Sequence, residues 1–456
     1  VNSSLLDPTQ LRKVILEAIP PDLFDNPTRY VYLPPDIQKA LDPSRPLVTG
    51  DRGTGKTFLW SYLTTPGGVA LLNKAFAHKN HSTRVAFGAT SEANFERPGQ
   101  DTVQFLFQNA PARVVWKTFF LVAALDQPIP GASWSERVRW VQENVEASDL
   151  RLVEQDKKLL ASGERRLILF DAVDRDPLGW SELVDWHGAL LKMLLDVQHF
   201  RALKIKAFVR RDIMAAPEVS AFPDASKLRA NEVELRWRQN DLFALLWRYL
   251  SRSIPFRQAV STEWQEPMNI PLALRENEAI QKRIWHQIAG PSMGGPRRGD
   301  TYRWLFNHLA DANQQVSPRS FLIAVRTAAE QTLPTAPTAI HFSAIQEGVK
   351  KAARARAQEI AEDFPWMHLA LGALQKALVP CARTKIIEAW EGANLEARMD
   401  EQKGRQRRSH GRGLDALVDE LTSLHIFHQL HDGRINVPDV FRLGFGMRRM
   451  GGVRPS

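Results

Sequence analysis

The stretch that most narrows what this chain can fold into is PLVTGDRGTGKTFLW, residues 46–60. Leu47 and Val48 read as the end of a buried strand, and Gly50 opens a turn. Gly53 and Gly55 remove side chains where a backbone must curl around an anion. Lys56 is placed to reach the outer phosphates of a nucleotide, and Thr57 to set its hydroxyl on Mg²⁺. Phe58 to Tyr62 continue as a helix whose first amides face the anion. The spacing thus marks Gly50, Asp51, Arg52, Gly53, Thr54, Gly55, Lys56, Thr57 and Phe58 as a phosphate cradle.

This pattern, set between an apolar strand end and an apolar helix start, resembles the P-loop of the nucleoside triphosphatases. A second element fits beside it, RRLILFDAVDRD. Leu167 to Phe170 form a continuous apolar run, as expected in the centre of a sheet covered on both faces. Asp171 ends that run, where open α/β sheets place their ligands. It is the candidate acid for Mg²⁺, together with Thr57. Many P-loop ATPases carry a glutamate next, and here that position is Ala172. Asp174 either orients the attacking water or caps the following turn.

The DAVDRD motif resembles the strand end of the STAND and KAP branches, bacterial relatives of the AAA+ ATPases. The likeness covers residues 30–252. It implies Mg²⁺-dependent ATP binding and slow hydrolysis that drive a conformational or assembly switch. It also implies a homo-oligomer or a partner protein and, by family analogy, anti-phage defence. No lysine-aspartate guanine-reading motif stands out, which favours ATP over GTP. Two rival readings stay open. One is a nucleic-acid-binding or remodelling ATPase, and the other a nonhydrolytic regulatory scaffold, which Ala172 favours.

The rest of the chain supplies further candidates. ALKIKAFVRRD reads as a strand ending in Arg210 and Arg211, either a γ-phosphate sensor or a solubility feature. Ser317-Pro318 starts a helix. Arg319, in its first turn, is the candidate sensor arginine of a helical lid, with Arg326 and Arg298 behind it. The loop GPSMGGPRRGDTYRW, residues 290–304, lacks P-loop spacing and reads as a surface loop. Residues 398–413 read as a solvated linker. HIFHQLHDGRINVP fits strand, turn, strand around Asp432-Gly433. A helix followed by such a basic hairpin resembles a winged helix, and Arg442, Arg448, Arg449 and Arg454 are candidate nucleic-acid contacts.

The expected fold class is therefore α/β: a P-loop core with a parallel sheet, a helical lid and a C-terminal winged-helix-like domain. The expected segments are an extension at 1–29, the core at 30–252, the lid at 253–360 and the last domain at 361–456. Bulk composition agrees. The 456 residues, 44% hydrophobic, allow two to four domains, and the formal net charge of +9 tilts toward an acidic partner. The lone Cys381 excludes an intrachain disulfide. No run of 18 apolar residues reads as a membrane span. The opening residues lack a secretory layout, so a cytoplasmic protein is expected.

Overall fold

The computed structural model describes residues 6–21, 31–76, 80–88, 98–171, 180–401 and 413–450. Backbone packing divides the chain into two units. One is Leu33–Arg236, and the other joins Val1–Tyr32 to Trp237–Ser456.

The first unit is built on five strands: β1 (Leu47–Gly50), β2 (Asn80–Phe87), β3 (Glu164–Phe170), β4 (Leu203–Arg210) and β5 (Val233–Glu234). They form one sheet in the order β2-β3-β4-β1-β5, and every pairing is parallel. Parallel neighbours need crossovers, and helices supply them. Lys56–Leu63 follows β1, Ala112–Ala124 and Val145–Ser162 lie between β2 and β3, and Trp180–Asp196 joins β3 to β4. With helices on its faces the centre of the sheet is dry, and Leu167 to Phe170 are all buried. The aromatic text between β2 and β3 fills this core. The Trp116 ring meets Phe87, Phe107 and Phe170 edge-on, and its indole N–H donates to the Trp186 carbonyl at 2.9 Å.

Two carboxylates pin the sheet's lower edge. Asp156 accepts the backbone N–H groups of Ala202 and Leu203, at 2.7 and 2.8 Å, where β4 begins. Asp126 gathers Lys158, Arg166 and Arg84 within 3.1 Å. The hydrogen bond from Lys158, helped by Gln155 and Arg166, holds its carboxyl well below the usual carboxylate range.

β4 carries an unusual side chain for a central strand. Lys206 is fully buried, and its ammonium donates to the carbonyls of Asp42 and Arg45 at 2.9 and 2.7 Å. It thereby ties down the segment that enters β1.

The second unit is largely helical. The helix Pro8–Ala18 starts at Asp7, whose side chain accepts from the Thr9 N–H. It packs against the helices Gln239–Leu250 and Pro318–Gln331. Arg12 donates to the Ala339 carbonyl at 3.1 Å. Arg326 donates to the Leu16 carbonyl at 2.8 Å and to that of Ile19, covering the helix's last carbonyls. The long helix Phe342–Asp363 crosses Pro318–Gln331 so closely that a Cβ on Gly348 would lie 2.2 Å from the Ala324 carbonyl oxygen.

The same long helix carries the C-terminal module. That module contains β6 (Leu378–Val379), the helices Arg383–Gly392 and Leu414–Ser423, β7 (His428–Gln429), β8 (Ile435–Asn436), the helix Asp439–Gly444 and β9 (Arg448–Arg449). β7 and β8 pair antiparallel, and Cys381 bridges Ile435. Gly433, at φ +80°, makes the reversal between β7 and β8. Trp390, Leu417, Leu421, Phe427, Ile435 and Phe441 share one core. Helix, strand, helix, helix and hairpin in this arrangement are winged-helix-like. The polar linker expected at 398–413 starts later, because a helix runs Leu395–Glu401 with Met399 buried. That polar stretch lies within the module, whose two halves share the core; residues 402–412 are outside the described set. The architecture is thus an α/β P-loop core with a parallel sheet, a helical domain in the chain position of a lid, and a winged-helix-like domain. Among the described residues no helix is long and apolar enough to cross a membrane.

Burial pushes the Lys206 amine down to about 7 from the usual lysine value. Between that value and the unfolded one, the unfolded chain binds the extra proton, so raising the pH stabilises the fold. Urea melts at pH 7, 8 and 9 should show this rise in the parent and lose it in Lys206→Met. Parallel stability profiles for the two proteins would contradict the assignment.

Candidate functional site

The loop after β1 closes on itself. Gly53 and Gly55 sit at φ +77° and +99°, in the left-handed region that favours glycine. Gly50 is confined as well, since a Cβ there would meet the Thr54 hydroxyl at 2.5 Å. That hydroxyl donates to the Asp51 carbonyl at 2.7 Å. Lys56 reaches back across the loop, its ammonium on the carbonyls of Gly50 and Asp51 at 2.7 and 3.0 Å. Gly55 stands immediately before the helix Lys56–Leu63. The helix's first amides and the Lys56 charge therefore share one end of the element. Thr57 is exposed there, and Arg52 is half-buried in the loop. The Phe58 ring stacks on Tyr62 at 6.4 Å.

The sheet sets what stands beside this loop. β4 lies between β1 and β3, with Arg210 in register with Gly50. Asp171 follows β3, buried, its N–H donating to the Phe87 carbonyl at 3.0 Å. Two strand spacings, about 10 Å, separate β3 from β1. The two sequence motifs thus lie at the same end of one sheet.

Of the two strand-end arginines, Arg210 is buried and bonded to Asp212, Nε to Oδ1 at 2.9 Å. Arg211 turns toward the loop. Its Nε lies 3.1 Å from Glu234 and its Nη1 3.7 Å from the Asp51 carboxylate. That Nη1 is shielded from solvent and has no hydrogen-bond acceptor among the described residues. Glu234 shares its other oxygen with Arg236 at 2.8 Å. This Asp51–Arg211–Glu234–Arg236 chain escaped sequence reading. Glu234 and Arg236 come from β5 and its exit, and no local spacing ties them to the loop.

The other candidates occupy other places. Asp174 lies outside the described residues, as do Ala172 and Arg454. Arg319 belongs to the second unit and pairs with Glu359 at 2.6 Å, a carboxylate it shares with Arg356. Arg326 is engaged with the N-terminal helix and with Glu330. Arg298 is exposed in a turn closed by the Ser292–Asp300 bridge. Arg442 and Arg449 both face Asp439, at 2.7 and 3.5 Å. His308 joins them at 3.4 Å, its basicity lowered by burial. Arg448 is exposed.

The donor set around the loop suits phosphate oxygens: Lys56, the helix amides and the Arg211 Nη1. A cation held between phosphates and protein would find hard oxygens on Thr57 and Asp171.

No protein-family model matches the chain, and no curated protein matches it. Among solved structures it is similar to the Aeropyrum pernix ORC2 protein in its ADPNP-ADP complexes. Identity is 13%, covering 92% of this chain and 96% of that one, with a TM-score of 0.41. It is also similar to the Aeropyrum pernix ORC1 protein in complex with DNA, at 14% identity over 95% of each chain and a TM-score of 0.39. The fold is fixed by the parallel strand order and by the glycine loop after β1.

Proposed function

We propose that the chain binds ATP with Mg²⁺ at the loop 50–57 and hydrolyses it slowly, coupling turnover to a change of conformation or assembly. The observation that carries this reading is the loop itself. It combines two left-handed glycines, a lysine held across the mouth and a helix start, and the shielded Arg211 Nη1 lies beside it. In this reading Gly50 to Phe58 form the cradle, and Lys56 and Arg211 meet the phosphates. Bound Mg²⁺ would offset phosphate charge, with Thr57 and Asp171 as the residues that hold it. Asp174 remains the proposed water-orienting group, which leaves hydrolysis slow where Ala172 replaces the usual glutamate. Arg210 acts through Asp212 as a support of the strand end. Arg319 is the proposed lid sensor, which requires it to leave Glu359. The STAND/KAP branch and its anti-phage role rest on the DAVDRD motif alone.

A second reading, contact with nucleic acid, is favoured by the winged-helix-like module. Charge decides which part of it would make contact. The helix Leu414–Ser423 carries Asp415 and Asp419 and no lysine or arginine. Those two aspartates engage Arg383, each at 2.6 Å. A helix with that face repels phosphate and offers no guanidinium to a base edge. Arg434, on the hairpin, is held by Asp432 at 2.7 Å, which leaves exposed Arg448 as the cation placed for backbone contact.

Three outcomes follow. Lys56→Ala should weaken Mg-ATP binding at least about tenfold in calorimetry while leaving the thermal transition in place; unchanged affinity would remove Lys56 from the site. Asp171→Asn should keep most of that affinity and lose Mg²⁺-dependent phosphate release, and parental turnover would sink the metal assignment. Replacing Arg448 by Gln should reduce the salt slope of duplex DNA binding by about one, without changing sequence preference. An unaltered slope would take Arg448 out of contact.

A further inference from the structure

The two units are joined by two passages of the chain. One leaves the helical unit after Tyr32, and the other re-enters it at Trp237. On the helical side these passages are fixed next to each other. The rings of Tyr32 and Trp237 lie 6.4 Å apart, and both residues are buried. Arg248 donates its Nε–H to the Val31 carbonyl at 3.2 Å. The residue just before the return passage is Arg236, the last of the P-loop unit.

Arg236 is also the end of the ion-pair chain that begins in the loop. Asp51 faces Arg211, Arg211 holds one oxygen of Glu234, and Arg236 holds the other. One carboxylate thus ties a loop-facing guanidinium to the residue at the passage. The tie to Glu234 also raises the Arg236 pKa. An arriving phosphate competes with Asp51 and Glu234 for Arg211, since all three are anions and a guanidinium has a fixed set of donors. A phosphate taken up at the Asp51-facing Nη1 draws on the same delocalised guanidinium charge that Nε presents to Glu234, so the Arg211–Glu234 pair weakens and Glu234 is rebalanced onto Arg236.

We propose that the Asp51–Arg211–Glu234–Arg236 chain transmits phosphate occupancy of the loop to the backbone at Arg236–Trp237, making Glu234 and Arg236 positioning residues for a nucleotide-dependent change between the units. This rests on the nucleotide reading of the loop. The buried Tyr32–Trp237 contact gives the transmission a fixed end. The passage is anchored on its helical side, so a shift of Arg236 is taken up in the torsions on the other side. Occupancy and response are linked quantities, so the ligand must bind the two arrangements with different affinity.

The test uses the full chain with Cys381→Ser, Glu154→Cys and Lys351→Cys. The latter two are exposed positions, one in each unit, for a pair of distance-reporting labels. Affinity for a nonhydrolysable ATP analogue with Mg²⁺ is measured in parallel. The labelled parent should change its distance distribution on adding the analogue, with the ratio of the two populations moving about tenfold. Arg236→Gln should bind the analogue within about threefold of the parent and lose the population change. Arg236→Lys should restore part of it, and Glu234→Gln should abolish it. An Arg236→Gln protein that responds like the parent overturns the proposal, and so does a parent that binds the analogue without responding. A parent that fails to bind the analogue overturns the nucleotide reading itself, a result the affinity measurement separates from the other two.

Discussion

β4 is paired along both edges, to β1 from Leu47 to Gly50 and to β3 from Arg166 to Phe170. That double pairing sets the spacing on which the rest of the P-loop unit depends. A strand held on both sides cannot slide without breaking two ladders and turning its side chains to the opposite face. The loop after β1 and the carboxylate after β3 are therefore kept a fixed width apart, with Arg210 and Arg211 emerging between them. The same enclosure explains Lys206. Its position leaves no route to water, so its ammonium is satisfied by the two carbonyls that precede β1. A central strand that positions the site also fastens the entry to the loop.

Local chemistry made part of this legible from residues alone. Glycines at 50, 53 and 55, followed by Lys56, announce a backbone ring because few other structures need that spacing. Leu167 to Phe170 announce a strand buried on both faces because nothing polar interrupts them. Asp432-Gly433 announces a reversal for the same kind of reason. Pairing order was not legible. Nothing in KIKAFV says that it lies between LVTG and LILF, because strand order is decided by crossovers of tens of residues. The partners of long cations were hidden too. Arg319, Arg326, Arg442 and Arg449 look alike in sequence. Each is assigned by a carboxylate or carbonyl that only folding brings near, such as Glu359, Leu16 or Asp439.

The C-terminal module shows how architecture and charge can diverge. Its helix-and-hairpin layout matches a class often associated with grooves in nucleic acid. Yet the helix Leu414–Ser423 is acidic, and its neighbour Arg383 is spent on Asp415 and Asp419. Arg442 and Arg449 converge on Asp439 beside His308 and serve the joint with the helical domain. Fold and net charge alone would have assigned these cations to phosphate, and their partners assign most of them to the protein itself.

The N-terminal helix closes a very long loop. Arg12 is 327 residues from Ala339, and Arg326 is 310 from Leu16. On a ribosome adding about 5–20 residues per second, the helix waits roughly 15–60 s for these partners to emerge. The whole P-loop unit is synthesised within that interval. Its sheet has every strand it needs once β5 is made. The order of assembly is thus written into the chain: the glycine loop after β1 can close first, and the helix Pro8–Ala18, made before it, is seated after it.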